Sequence, residues 1–220
     1  MKKKEMPDKG LPRLLEFLLA LLALGVLFPF LLLCALAVRC SSPGPVLYRQ
    51  IRVGRQGKTF VFFKFRSMGV NNQGPGVTAR GDERITTVGR FLRKTKLDEL
   101  PSLWNVVLGD LSLVGPRPEV PGFVDLRNPL WPKVLACRPG LTDPVTMRLR
   151  NEEELLSQVE GSREDFYLQV LQPLKLRGYV AYQEGRTFWT DLRTLIKSLW
   201  VTLFPGKVEG LNVDDLAEKL

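Results

Sequence analysis

Charge disappears from the chain between Phe17 and Val38, a run of 22 residues reading FLLALLALGVLFPFLLLCALAV. At ~1.5 Å per residue, a helix of that length reaches about 33 Å, enough to cross a hydrocarbon core of ~30 Å. Buried helices of soluble domains rarely run so far without a polar face. A secretory signal core is shorter, at about 7–15 residues, so neither the basic start nor Ala35-Leu36-Ala37 is read as part of a cleaved leader. Basic residues flank the run on both sides. Lys2, Lys3, Lys4, Lys9 and Arg13 precede it; Arg39, Arg49, Arg52, Arg55, Lys58, Lys64 and Arg66 follow, with no acid between Arg39 and Arg66. Positive flanks favour the cytoplasmic side, and a straight crossing satisfies only one of the two. Pro29 stands near the middle of the run, where it removes a backbone donor and kinks a helix. The residues therefore favour a re-entrant helix that turns back at mid-depth, with a straight span as the alternative. Arg13 and Glu16, at i and i+3, are placed to pair where the helix meets the interface.

After this segment the pattern changes. Ser41-Ser42-Pro43-Gly44-Pro45 breaks the helix. Val46–Arg52 and Thr59–Phe65 are β-rich runs joined by residues 53–58, the pattern of a hairpin. Met68–Gly81 is glycine-rich and reads as a loop. Thr86 to Leu108 keeps helical spacing through Phe91, Leu92, Leu97, Leu100, Leu103 and Trp104, with a bend expected near Pro101 and a stop at Gly109-Asp110. Val114-Gly115-Pro116-Arg117-Pro118 is a rigid turn-former. Helices are expected around 152–159, 164–171 and 173–184. A last one, about 188–204, sets Phe188, Trp189, Leu192, Leu195, Ile196, Leu199, Trp200 and Leu203 against Asp191, Arg193, Thr194, Lys197 and Ser198 on the other side. Such a helix either packs on the domain or lies in a membrane interface, the latter favoured by its two Trp residues. The expected fold is mainly α with a small β-hairpin (α+β). Residues 1–40 form a basic segment and membrane helix, and 41–220 a cytoplasmic catalytic domain.

Composition narrows the chemistry. The 220 residues include no histidine, which removes Ser-His-Asp triads, Cys-His dyads and His-ligated metal sites. Cys34, Cys40 and Cys137 show no C-x-x-C spacing and are odd in number, which points away from a disulfide framework. Chemistry is left to carboxylates, Arg, Lys, hydroxyls and bound ions. With 32 basic against 23 acidic residues the net charge is +9, which favours an anionic partner. No aromatic–basic interleaving or other nucleic-acid motif is present, so no nucleic-acid partner is expected.

Several stretches together resemble the monotopic phosphoglycosyltransferases, a family of bacterial sugar transferases. They are Gly44-Pro-Val-Leu-Tyr-Arg-Gln50, Arg52-Val-Gly54, Phe63-Lys-Phe-Arg-Ser-Met68, Asp82-Glu-Arg-Ile-Thr86, Val88-Gly-Arg-Phe-Leu-Arg93, Leu97-Asp-Glu-Leu-Pro101, Leu103-Trp-Asn-Val106, Gly109-Asp-Leu-Ser-Leu-Val-Gly-Pro-Arg-Pro118 and Arg138-Pro-Gly140. They fall in the family's order over roughly residues 13–140. The resemblance implies a re-entrant membrane helix. It also implies transfer of a sugar-1-phosphate from a nucleotide sugar, a UDP-sugar, to polyprenyl phosphate at the cytoplasmic face of the bacterial inner membrane, beginning a glycan. Three departures stand out. Phe28-Pro29 replaces the family's frequent Ser-Pro, Glu16 replaces its Asp, and Leu141-Thr-Asp-Pro-Val-Thr-Met-Arg-Leu-Arg150 replaces its usual continuation. Residues 141–187 are accordingly where sugar choice is expected to reside.

A diphosphate is protected by its negative charge, so its cleavage calls for positioning and charge neutralisation. The resemblance makes Asp98 the nucleophile, giving an acyl phosphate that divides one hard transfer into two, with Glu99 as its partner. Mg2+ suits a site without His or Cys, and Asp98 is its expected ligand. Arg93 and Arg117 are the expected phosphate clamps. Lys64 and Arg138 are candidates for the same task or for surface and lipid-headgroup charge. Asp82 and Asp110 are read as caps or salt-bridge partners. Membrane lipids are expected to meet the basic stretch 39–66. Two other readings remain: direct attack by the lipid phosphate without a covalent step, and a membrane-anchored anion-binding protein with a degenerate site.

Overall fold

A computed structural model of the chain describes residues 9–70, 77–79, 81–149 and 151–204. The triple lysine at 2–4 lies outside them, as do positions 71–76 and 80 of the glycine-rich stretch. In chain order the regular elements are α1 (Arg13–Ser41), β1 (Leu47–Val53), β2 (Thr59–Phe65), α2 (Thr87–Thr95), a 3-10 turn (Leu97–Ser102) and α3 (Leu103–Leu108). They continue with β3 (Ser112–Val114), α4 (Leu130–Val134), β4 (Gly140–Thr142), α5 (Pro144–Arg148), α6 (Glu152–Ser157) and α7 (Arg163–Phe166). A π-turn (Tyr167–Leu171), α8 (Gln172–Glu184) and α9 (Phe188–Leu203) follow, and short 3-10 turns occur at Arg55–Gly57 and Pro121–Phe123.

Glu16 in the first turn of α1 and Arg39 in the last complement the helix dipole. Pro29 sits inside α1, whose residues remain helical on both sides of it. Pro29, expected to break the membrane helix, does not divide α1 into two helices. Both ends of α1 pack on the same domain. Ala20, with Leu15, Leu19, Leu24 and Leu27, meets Leu103 and Val106 of α3 and Leu111, Leu113 and Val114 around β3. Near the other end Cys34 and Val38 meet Phe65 of β2 and Leu92 of α2. Along the rest of its surface, from end to end, Leu14, Leu22, Val26, Phe28, Leu33 and Leu36 are exposed. The Arg13–Glu16 pair forms at 3.7 Å, and buried Glu16 also accepts from the Leu113 amide at 3.0 Å.

β1 and β2 form the expected hairpin, antiparallel from Leu47 opposite Phe65 to Val53 opposite Thr59. The following segment differs from the long bent helix expected. The chain breaks at Lys96, in left-handed conformation (φ 60°), five residues ahead of Pro101. A non-glycine residue rarely adopts that geometry, which caps α2 and reverses the chain. A second pairing, β3 parallel to β4, was not visible in the sequence because each strand is three residues long. At its end Gly115 and Gly140 meet backbone to backbone. A Cβ on Gly140 would stand 2.1 Å from the Gly115 amide nitrogen, so only glycine fits.

The remaining core lies under α4–α8. Trp131, Val134, Leu135, Leu176 and Tyr179 close one cluster over Val53. Leu149, Leu155, Leu156, Tyr167 and Leu171 form another. A reciprocal Thr187–Thr190 capping box starts α9. Of the side read as polar, part is buried. Asp191 and Thr194 are buried, whereas Trp189, Ile196, Leu199 and Trp200 face outward. Asp191 sits in a knot with Arg186, Tyr182 and the Leu11 amide, which ties α9 to the start of α1. None of the three cysteines is in a disulfide.

Candidate active site

Reversal at Lys96 delivers Asp98 and Glu99 onto the 3-10 turn, which packs against β2. Successive residues of such a turn point about 120° apart, so the two carboxylates diverge. Asp98 is 5% exposed. Burial raises its pKa, the adjacent Glu99 charge adds to the rise, and Lys64, Arg93 and Lys96 oppose it. Among the described residues no hydrogen bond or ion pair engages its carboxylate. Glu99 is in the opposite condition. Burial works against its charge, but a two-point fork from Arg117, through Nη1 at 2.9 Å and Nη2 to the other oxygen, holds it well below the usual carboxylate range. The Glu99 charge in turn raises the pKa of Arg117. Two adjacent acids thus have separate roles: Glu99 is fixed as a permanent anion, and Asp98 is poised.

Arg117 owes its position to the Gly115–Gly140 crossing and to Pro116 and Pro118, which stiffen the backbone on both sides of it. Arg52 of β1 supports the same arch by donating to the Pro118 carbonyl at 2.9 Å. Lys64, on β2, lies 5.4 Å from the centre of the Tyr48 ring. Burial lowers its pKa to about 8, against the attraction of Glu99 and Asp98.

These groups line an open cleft of about 890 Å3, walled by β1, β2, the 3-10 turn, the Arg117 arch, α5, α6, α8 and α9. Of the residues singled out in the sequence, Asp98, Glu99, Arg93, Arg117 and Lys64 all line it. Arg93 and Asp98 lie on different elements, α2 and the 3-10 turn, and not on the single bent helix expected from the sequence. Arg93 reaches the cleft from α2, paired with Glu153 and 3.4 Å from the Ser67 hydroxyl. Arg138 is elsewhere. Its guanidinium stands 4.0 Å from Glu16 at the root of α1, outside the cleft lining, because Arg138 precedes β4 on the far side of the Gly115–Gly140 crossing. Asp82 forms the expected salt bridge, with Arg84, whereas Asp110 accepts a hydrogen bond from the Asn105 side chain. Residues missed in the sequence include Lys96, Arg52, Glu119, Tyr167 and Lys175, all in the lining. Only the left-handed backbone at Lys96 marks it, and a sequence carries no sign of that.

No group of three or more His, Cys, Asp or Glu side chains able to hold a metal occurs among the described residues. One carboxylate oxygen together with substrate phosphate oxygens and water is, however, a customary Mg2+ environment, and Asp98 offers that oxygen.

An acidic pair, one member buried and the other half-buried, ringed by cations in a cleft, is the layout of a site for a phosphorylated substrate. Residues 8–205 match the family model described as bacterial sugar transferase, and the chain belongs to that family. It is 38% identical over 192 residues to the UDP-glucose:undecaprenyl-phosphate glucose-1-phosphate transferase of Caulobacter vibrioides, an alignment covering 85% of this chain and 67% of that protein. To the Escherichia coli protein of the same name it is 36% identical over 212 residues, covering 92% of this chain and 42% of that protein. A UDP-N-acetylgalactosamine-undecaprenyl-phosphate N-acetylgalactosaminephosphotransferase of Aeromonas hydrophila is 43% identical over 133 residues, 58% of this chain and 31% of that protein. The chain thus spans less than half the length of two of these three relatives.

Proposed function

We propose that this protein transfers a sugar-1-phosphate from a UDP-sugar to undecaprenyl phosphate at the cytoplasmic membrane face, through a covalent intermediate on Asp98. The observation carrying this reading is the asymmetry of the acidic pair: a buried Asp98 free to react, beside a Glu99 locked by Arg117. In the first half-reaction an Asp98 carboxylate oxygen attacks the phosphorus bonded to the sugar. The bond from that phosphorus to the bridging oxygen breaks, and uridine monophosphate leaves with the electron pair. In the second, a phosphate oxygen of the lipid attacks the same phosphorus, and the bond to Asp98 breaks to restore the carboxylate. Arg93, Lys64 and Lys96 neutralise the phosphate oxygens. Arg117, engaged by Glu99, orients that carboxylate and offers its remaining donors to substrate. Mg2+ bound at Asp98 and the diphosphate would supply further charge neutralisation to the leaving group.

Membrane attachment by a re-entrant α1 is supported by the basic residues on both sides of its apolar run and by packing of both its ends on one domain, while Leu14, Leu22, Val26, Phe28, Leu33 and Leu36 stand exposed along its length. The outward Trp189, Ile196, Leu199 and Trp200 of α9 suit a position in the interface, where aromatic residues concentrate. Such a placement would set the cleft where a water-soluble donor and a lipid-borne acceptor both reach it.

Purified protein incubated with Mg2+ and a UDP-sugar, without lipid, should release uridine monophosphate in one burst stoichiometric with enzyme, and undecaprenyl phosphate should then give turnover. Asp98→Asn should lose both. Persistent turnover in that variant would remove Asp98 as nucleophile, and release only in the presence of lipid would favour direct attack.

A further inference from the structure

One wall of the cleft carries charge that the reaction above leaves unused. Starting at β1, Gln50 Oε1 accepts from Arg52 Nε at 3.0 Å and Nη2 at 2.7 Å. Arg52 Nη1 reaches Glu119 Oε1 at 3.4 Å. The other oxygen of Glu119 accepts from the Tyr167 hydroxyl. That hydroxyl accepts in turn from Lys175 Nζ at 3.4 Å, and Lys175 closes the chain on Glu152 at 2.6 Å. All six residues line the cleft. They come from β1, the loop after Arg117, the π-turn, α8 and α6. Lys175 retains only 7% side-chain exposure, and a buried ion pair is often no more stabilising than an apolar replacement. Single π-turns, like the one presenting Tyr167, gather at functional sites.

Three properties of this wall define what it can bind. Its two cations and two carboxylates cancel, so it does not attract phosphate, which the Lys64–Arg93–Lys96 floor does. It alternates donors and acceptors, and Lys175 has a third N–H beyond those directed at Glu152 and Tyr167. Finally, it offers no free aromatic face for a base to stack on. Lys175 Nζ covers the Tyr167 ring at 4.7 Å, and Phe123 packs against it with centroids 5.5 Å apart. The wall also adjoins the acidic pair. Arg52 lies within the electrostatic reach of Arg117 and Glu99, and Glu152 within that of Arg117. In a UDP-sugar, the group bonded directly to the attacked phosphorus is the sugar; the nucleoside lies one phosphate further off.

We propose that the Glu119–Tyr167–Lys175–Glu152 wall is the subsite that reads the hydroxyl pattern of the donor's hexose, and so determines which UDP-sugar is used. The proposal rests on the transferase reading above. It moves part of sugar selection outside residues 141–187, because Glu119 belongs to the loop following Arg117. A polar site built to pair with a given hydroxyl discriminates far more strongly than an apolar one, since the wrong epimer leaves a buried group unpaired.

Tyr167→Phe and Lys175→Gln, each compared with wild type on UDP-glucose, UDP-galactose and UDP-N-acetylgalactosamine, test this. The ratio of kcat/KM between the preferred donor and the next best should change by about 10-fold or more. Inhibition by UDP, which lacks the sugar, should stay within about 2-fold of wild type. Parallel loss on all three donors with the ratio unchanged would overturn the proposal, as would a matching loss of UDP affinity, which would make the wall a nucleotide subsite. Failure of both variants to fold would assign the network to stability and equally overturn it. An active wild type with unaltered variant ratios refutes this inference alone; a wild type that uses none of the donors refutes the transferase reading and this subsite with it.

Discussion

Lys64 should make the donor half-reaction fail on the alkaline side. An exposed lysine titrates near ~10.4 and stays charged throughout the working range. Here burial brings the value down to about 8; Arg52 and Arg93 assist, and Glu99 and Asp98 resist. The sign follows directly: a lysine with a lowered pKa is a cation below that pH and neutral above it. With a pKa of about 8, roughly 90% of Lys64 is charged at pH 7 and roughly 10% at pH 9, so kcat/KM for the UDP-sugar should fall about 10-fold across that interval. This parameter reports the free enzyme. A bound diphosphate pulls the lysine back toward its charged form, so the corresponding limb in kcat should lie higher. The assay is burst-phase release of uridine monophosphate without lipid acceptor, which keeps the ionisation of the lipid phosphate out of the profile. Lys64→Arg supplies a guanidinium that remains charged at every accessible pH. Whatever rate that variant retains should be flat from pH 7 to 9. A limb near pH 8 that survives in Lys64→Arg, or a flat wild-type profile, would refute the assignment of a charged Lys64 to the reaction.

On the acid side, the raised pKa of Asp98 should place the fall of kcat/KM above the ~3.9 of a free aspartate, because the nucleophile must be ionised. Arg117→Lys replaces a two-point fork by a point charge; losing one charged hydrogen bond to Glu99, worth about 2 kcal/mol, should lower kcat/KM roughly 30-fold. Asp143 is fully buried and caps α5 through Val145 N, Thr146 N and Thr146 Oγ1. Asp143→Ala should cost about 1–2 kcal/mol, seen as a melting temperature lower by about 2–8 °C. A re-entrant α1 keeps both flanks inside, so in spheroplasts neither Cys40 nor a Lys9→Cys substitution should react with a membrane-impermeant maleimide. Labelling at one of the two but not the other would indicate a straight span.

What could be read from residues alone was what depends on neighbours in the chain. The length of the apolar run is sufficient to announce α1, because helix rise and bilayer thickness are constants. Alternation and turn chemistry located the β1–β2 hairpin within a residue, and Leu97-Asp-Glu-Leu-Pro101 marked the acidic pair. Bonds across long separations were not legible. Lys96 adopts its left-handed turn because the 3-10 segment packs against β2, and nothing local requires it. Asp191 looked like a solvent-facing acid on an amphipathic helix; it is buried because Arg186, Tyr182 and the Leu11 amide, 180 positions away, converge on it. Arg138 opens the Arg138-Pro-Gly140 stretch that carried part of the resemblance, yet the β3–β4 crossing directs it to Glu16. Most of all, the differing states of Asp98 and Glu99 come from the fold. The two acids are adjacent and chemically alike, and only the arrival of Arg117 beside one of them, with burial of the other, makes them unequal. Burial and the field of distant charges are set by the folded chain as a whole, so the identity of the pair lay in the sequence and its asymmetry in the tertiary structure.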